Sequence, residues 1–161
     1  MKLTVKHILV PVAVTTLIYL IMKNTKTKLA KLTTLNKIRG CDAFGCGNFG
    51  ANRSGHKHQG IDIVTNPGET IFSPIDGEFK RLAYPYANDK NYKGMVLVND
   101  EIEIKIFYVT PTIPAGLKIK KGQPIAKSQN IARKYGVSMV NHIHFEVRNG
   151  KELIDPTNLF I

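Results

Sequence analysis

The chain has 161 residues, a formal net charge of +11 and only two cysteines, a length that makes one domain the default. Seven lysines and no acidic residue lie within residues 1–37, so the remainder carries only +4. With the excess set beside an apolar segment and no helix-turn-helix or zinc-finger spacing, nucleic acid is not an expected partner. In chain order, Ile8 to Met22 is an uncharged, mostly apolar run flanked by lysines. As a helix it spans about 22 Å, short of the hydrocarbon core of about 30 Å. Residues 1–22 therefore read as a signal anchor or a signal peptide, with membrane contact through residues 8–22 if the segment stays uncleaved. The denser lysines on the C-terminal side favour a cytoplasmic domain by the positive-inside rule. The cysteines and the resemblance given below favour an outward-facing one, and that is the side taken. Residues 23–37, rich in Lys, Thr and Leu, read as a polar linker. The domain is expected over residues 38–161.

From Ile38 onward, short runs of β-branched and aromatic residues alternate with turn residues. Expected strands are Gly60–Val64, Thr70–Ser73, Gly77–Ala83, Met95–Asn99, Ile102–Thr110, Gln123–Ser128 and His142–Arg148, with one helical turn over Ile131–Tyr135. The fold class is all-β, dominated by an antiparallel sheet. Cys41 and Cys46 admit three readings: two buried thiols, half a zinc site, or a disulfide closing a small loop. The disulfide is favoured in an oxidising compartment.

Four of the five histidines fall in two tight groups, His56 with His58 and His142 with His144. On a strand, residues two or four apart share a face. His142 and His144 thus point the same way, and His58 and Asp62 converge if their segment is extended. Two imidazoles and a carboxylate suit Zn²⁺, which takes three protein ligands and a water when catalytic. Asp62 stands among Ile61, Ile63 and Val64, where an unpartnered carboxylate is costly. Each motif alone is more often a hydrogen-bonded structural pair. Together they make a metal signal.

An ordered set of segments adds to this: His58-Gln-Gly-Ile-Asp62, Pro67-Gly68-Glu69-Thr70, Ser73-Pro74-Ile75-Asp76-Gly77, Ile119-Lys120-Lys121-Gly122-Gln123, His142-Ile143-His144-Phe145-Glu146 and Asp155-Pro156. It resembles the lysostaphin-like zinc metallopeptidases over roughly residues 38–161. Ile38-Arg39-Gly40-Cys41-Asp42, Phe44-Gly45-Cys46-Gly47, Arg53-Ser54 and Lys105-Ile106-Phe107-Tyr108 resemble a chemotaxin-like branch. The resemblance implies His58, Asp62 and His144 as zinc ligands, His142 as a catalytic histidine, and a metal groove on one sheet face. It implies substrates among peptidoglycan cross-bridges and glycine-rich peptides. Active members carry a second catalytic histidine in a Tyr-x-His strand. Here Phe107-Tyr108-Val109-Thr110 puts Thr110 at that position. The chemotaxin-like branch also lacks this histidine. The expected function is accordingly that of a secreted or membrane-anchored zinc-binding protein that binds a receptor, cell-wall peptide or glycan. The alternative is a zinc metalloendopeptidase. That branch also implies a crosslink between positions 103 and 148. Glu103 and Arg148 stand there, and an ion pair is expected in its place.

Overall fold

A computed structural model describes residues 28–161 of the chain. The apolar run 8–22, and His7 beside it, lie outside the described residues. Among those described, no helix is long and apolar enough to cross a membrane.

Two small hairpins come first: β1 (Cys41–Asp42) with β2 (Gly45–Cys46), and β3 (Asn52–Arg53) with β4 (His56–Lys57). Cys41 and Cys46 form the disulfide of the first. The body of the domain follows as β5 (Ile61–Val64), β6 (Thr70–Phe72), β7 (Gly77–Ala83), β8 (Gly94–Val98), β9 (Glu103–Phe107), β10 (Val109–Pro111), β11 (Lys118–Ile119), β12 (Pro124–Ser128), α1 (Ala132–Tyr135), β13 (His142–Asn149) and β14 (Glu152–Ile154). The main sheet runs β11-β7-β8-β9-β13, and the outer edge of β13 is shared by β5 and β14. A second sheet has the order β10-β12-β6. All strand pairs are antiparallel. The all-β expectation therefore stands.

Alternation decides which face of β13 does what. Ile143, Phe145 and Val147 are fully buried in the core, alongside Ile61 and Ile63 of β5 and Ile104 and Ile106 of β9. His142, His144 and Glu146 take the opposite face by the two-residue period of a strand. The expected continuous strand Ile102–Thr110 breaks at Tyr108, whose φ of 63° is left-handed. A pleat cannot continue through that conformation, so β9 and β10 belong to different sheets.

The linker expected over residues 23–37 is corrected from residue 28 on. Leu29 and Leu32 are fully buried. Leu29 N–H donates to Leu159 O (2.9 Å), Phe72 N–H to Leu32 O (2.9 Å) and Val64 N–H to Lys37 O (2.8 Å). Apolar burial and backbone pairing thus make this stretch a strap of the domain, and the surrounding lysines and threonines conceal two core leucines. We expect Leu32→Ala to lower unfolding free energy by about 2–5 kcal/mol in urea titrations. A change under about 0.5 kcal/mol, as surface substitutions give, would return the strap to the linker class.

Glu103 and Arg148 are register partners on adjacent strands. The expected ion pair is not what the guanidinium makes: Arg148 Nη2 reaches Gln59 Oε1 (3.3 Å) and Nε lies 4.0 Å from Glu146 Oε2. Directly opposed strand positions still suit disulfide geometry. The double variant Glu103→Cys, Arg148→Cys should crosslink under oxidising conditions, read as a mobility shift lost on reduction.

Candidate metal centre

The site begins with register. Asp62 on β5 lies directly opposite His144 on β13. Such cross-strand neighbours have Cβ atoms about 5 Å apart, so carboxylate and imidazole meet without help from loops. His58 reaches them from the segment between β4 and β5. Its backbone is pinned at both groups: His58 N–H donates to Ala51 O (2.8 Å) and Gly50 N–H donates to His58 O (2.9 Å). Gly60 lets this segment pass close over β13, since a Cβ there would run into the Phe145 carbonyl.

Three donor atoms converge. His58 Nε2 lies 2.9 Å from His144 Nδ1 and 3.1 Å from Asp62 Oδ1, and His144 Nδ1 lies 3.0 Å from the same Oδ1. The far nitrogen of each ring faces an acceptor: His58 Nδ1 is 2.8 Å from the Asn48 carbonyl, and His144 Nε2 is 3.1 Å from Glu146 Oε1. Those acceptors require N–H on the far side. When both rings are neutral, the near nitrogens then hold lone pairs. Three lone-pair atoms aimed at one another repel unless a cation lies among them, and either a proton on an imidazole or a metal ion can fill that role. Outer partners that fix the tautomer in this way are characteristic of metal-ligating histidines, and the His₂-carboxylate set suits a borderline divalent ion such as Zn²⁺.

The second oxygen of Asp62 has different company. Oδ2 accepts from Arg39 Nη2 (2.9 Å) and Nε (3.3 Å) and from Arg53 Nη2 (3.2 Å). Burial pushes the Asp62 carboxyl up, but hydrogen bonds from His144 and His58 and the charge of the imidazoles outweigh it. The group is held far below the usual carboxylate range. Burial likewise pushes His144 down, and hydrogen bonds with Asp62 and Glu146 reverse the sign, leaving it raised.

His142 stands slightly apart, with Nε2 3.6 Å from Asp62 Oδ1. Its Nδ1–H donates to Val140 O (2.7 Å), so the lone pair of the neutral ring faces the site. Burial lowers its pKa. The site opens into a groove of about 490 Å³ whose walls include Arg53, His56, Tyr86, Tyr108, Tyr135 and Met139. Tyr108 packs edge-on to His142 (centroids 5.7 Å apart). Its hydroxyl lies 3.1 Å from that of Tyr86, which lies 2.6 Å from that of Tyr135. Burial pushes the Tyr108 phenol up to about 12. Thr110 is exposed, pairs with Lys127 of β12, and is absent from the groove lining.

The model of Peptidase family M23 matches residues 56–156. The chain belongs to peptidase family M23. The M23 domain is 33% identical over 123 residues to leukocyte cell-derived chemotaxin-2 of Bos taurus, covering 76% of this chain and 78% of the relative. Its fold is similar to that of the antimicrobial peptidase lysostaphin from Staphylococcus simulans (TM-score 0.57, 20% identity, 82% of this chain and 53% of that one). It is also similar to a zinc-containing peptidase from Vibrio cholerae (TM-score 0.53, 20% identity, 80% and 39%).

Of the residues singled out from sequence, the M23 domain brings His58, Asp62 and His144 together as one potential metal-holding group. His142 faces the same groove. His56 lines it but is exposed. Thr110 stays outside. Cys41 and Cys46 are joined and are not ligands. Arg39, Arg53 and Glu146 carry parts of the site to which the sequence reading gave no role. Each lies within a segment that carries the resemblance, Arg39 two residues before the first cysteine. The lysines at 118 and 120 sit on and just beyond β11, at the opposite edge of the sheet, near Glu78 (3.5 Å) and Asp76 (3.9 Å).

Proposed function

We propose that this M23 domain is a zinc-binding protein that acts by engaging a receptor, cell-wall peptide or glycan in its groove and hydrolyses it poorly or not at all. One paired observation carries the reading. Three potential metal donors converge within 3.1 Å of one another, while the position expected to hold a second catalytic histidine carries an exposed threonine outside the groove. His58, Asp62 and His144 would hold the ion, and bound zinc supplies Lewis-acid polarisation of a carbonyl and a more acidic water. The Asn48 carbonyl and Glu146 fix the ring tautomers. His142, kept neutral by burial, presents Nε2 as a base. A second positioned acid–base group normally contributes about 10²–10⁴-fold. Tyr108 does not replace it, because a phenol pushed up to about 12 keeps its proton at neutral pH and serves as a hydrogen-bond donor. The tyrosine wall offers flat apolar surface with polar tips, suited to a peptide backbone or sugar ring. The Cys41–Cys46 disulfide supports an extracellular or outward-facing membrane-anchored setting.

The second reading, an endopeptidase acting on peptidoglycan cross-bridges or glycine-rich peptides, is favoured by His142 remaining poised beside the donors. Metal analysis of the purified protein, followed by incubation with peptidoglycan and oligoglycine with and without chelator, separates the two. We expect about one zinc per chain. Chelation should lower the thermal midpoint, since zinc at about 1,000 times its Kd adds about 4 kcal/mol. Products should form slowly, at or little above the blank. Efficient chelator-sensitive cleavage would instead establish the endopeptidase, and a folded chain that takes up no zinc would remove both readings.

A further inference from the structure

We propose that Arg39 is a positioning residue that restricts Asp62 to one metal-facing oxygen, and that the Cys41–Cys46 hairpin is the clamp that holds Arg39. The inference rests on the zinc reading above. Asp62 divides its two oxygens: Oδ1 faces the imidazoles of His58 and His144, and Oδ2 is taken by Arg39 through both Nε and Nη2 and by Arg53. An unrestrained carboxylate can turn both oxygens toward a cation. With Oδ2 occupied, only Oδ1 is offered, which leaves room in a four-coordinate zinc sphere for two histidines and one exchangeable position.

Arg39 is 3% exposed, and a guanidinium buried so deeply needs its donors matched. The remaining Nη1 meets the Gly45 carbonyl at 2.9 Å and Asp42 Oδ2 at 2.6 Å. Both partners belong to the β1–β2 hairpin. Arg53 leans on the same hairpin, because its guanidinium fills the space a Cβ on Gly45 would take, and Gly45 has a left-handed φ of 102°. The backbone closes the unit: Arg39 N–H donates to Asp62 O and Asp62 N–H to Gly47 O, each at 2.8 Å. A hairpin of two-residue strands does not hold itself in water. The disulfide keeps Gly45 and Asp42 where Arg39 needs them. Lysine would not substitute, since a point charge lacks the fork that reaches Asp62, Asp42 and Gly45 at once.

The test compares the full chain with Arg39→Met, with the double variant Cys41→Ser, Cys46→Ser, and with Leu32→Ala as a destabilised control in the core that does not line the groove. Two readouts are taken: zinc affinity by competition with a chromophoric chelator, and the visible spectrum of the cobalt(II)-loaded protein, which reports coordination number. R39M should weaken zinc about 10–100-fold, the usual loss for an outer-sphere partner, and shift cobalt toward the weaker absorption of higher coordination. The cysteine variant should move both readouts in the same direction, and L32A neither. Unchanged affinity and spectrum in R39M overturn the proposal. A cysteine variant that matches the parent overturns the clamp, and it does so even if R39M fails to fold. A parent chain that takes up neither zinc nor cobalt is a separate result, one that removes the zinc reading itself.

Discussion

Asp62→Asn abolishes metal uptake and lowers the stability of the metal-free protein by about 3–5 kcal/mol, the cost of breaking a buried ion pair from one side. Asparagine keeps the shape of the side chain but leaves Arg39, 3% exposed, facing a neutral amide. His144→Ala removes a ligand without touching the arginines, so it should cost the metal and much less stability. The comparison separates structural from metal-holding roles. The acid limb carries a second signature. Folding depresses the Asp62 pKa, so its contribution is complete above the unfolded value of about 3.9 and is lost as pH falls through the lower folded value. His144 is raised on folding, so its contribution is present below about 6.5 and is lost as pH rises through the folded value. Urea denaturation of chelated protein from about pH 7 down to about pH 3 should show parental stability falling on the acid side, and a flatter profile in D62N. Equal slopes in parent and variant would reject this assignment. On the zinc reading, metal binding would reverse the His144 preference, because a ligating imidazole must be neutral, so zinc affinity should fall on acidification.

Short-range spacing made a metal cluster legible, because a His-x-His strand puts two rings on one face and a carboxylate within an apolar run demands a partner. The choice of His58, Asp62 and His144 as the donor set came from the resemblance to the lysostaphin-like peptidases. Most strands were legible from local composition and flanking turns: β7 runs from Gly77 to Ala83 as expected, although a bulge between Phe79 and Arg81 interrupts its alternation. What spacing cannot encode is a partner contributed from elsewhere. Arg39 meets Asp62 across 23 residues, a contact with no motif; Glu146 serves His144 from two residues along the same strand, a spacing that was legible but had been given no role. The strap escaped because Leu29 and Leu32 stand three apart, a helical spacing, whereas the segment packs as neither helix nor strand. The break at Tyr108 escaped because a tyrosine at left-handed φ has no compositional marker. Apart from Glu146, these misses share a cause: each is decided by contacts distant in sequence, whereas turns and alternation are local.

Thr110→His recovers less than about tenfold in peptide hydrolysis, well below the 10²–10⁴-fold that a placed acid–base group contributes. From sequence alone, restoring histidine at this position was the natural way to revive an enzyme. The structure changes the expectation. Val109 is fully buried in the core, so its neighbour Thr110 points outward, in the row it shares with Lys127 and Thr70. Lys127 Nζ donates to Thr70 Oγ1 (2.7 Å) on that row, and neither residue lines the groove. The left-handed turn at Tyr108 aims the phenol at His142 and sends β10 into the other sheet, so an imidazole at 110 starts from the wrong strand. Steady-state hydrolysis of an oligoglycine substrate by the zinc-loaded variant decides the matter. A gain above about 100-fold would mean that position 110 reaches the reacting atoms and that Tyr108 yields its place to a second histidine. A small gain would locate the catalytic deficit in the backbone path through Tyr108, which no single side chain at 110 repairs.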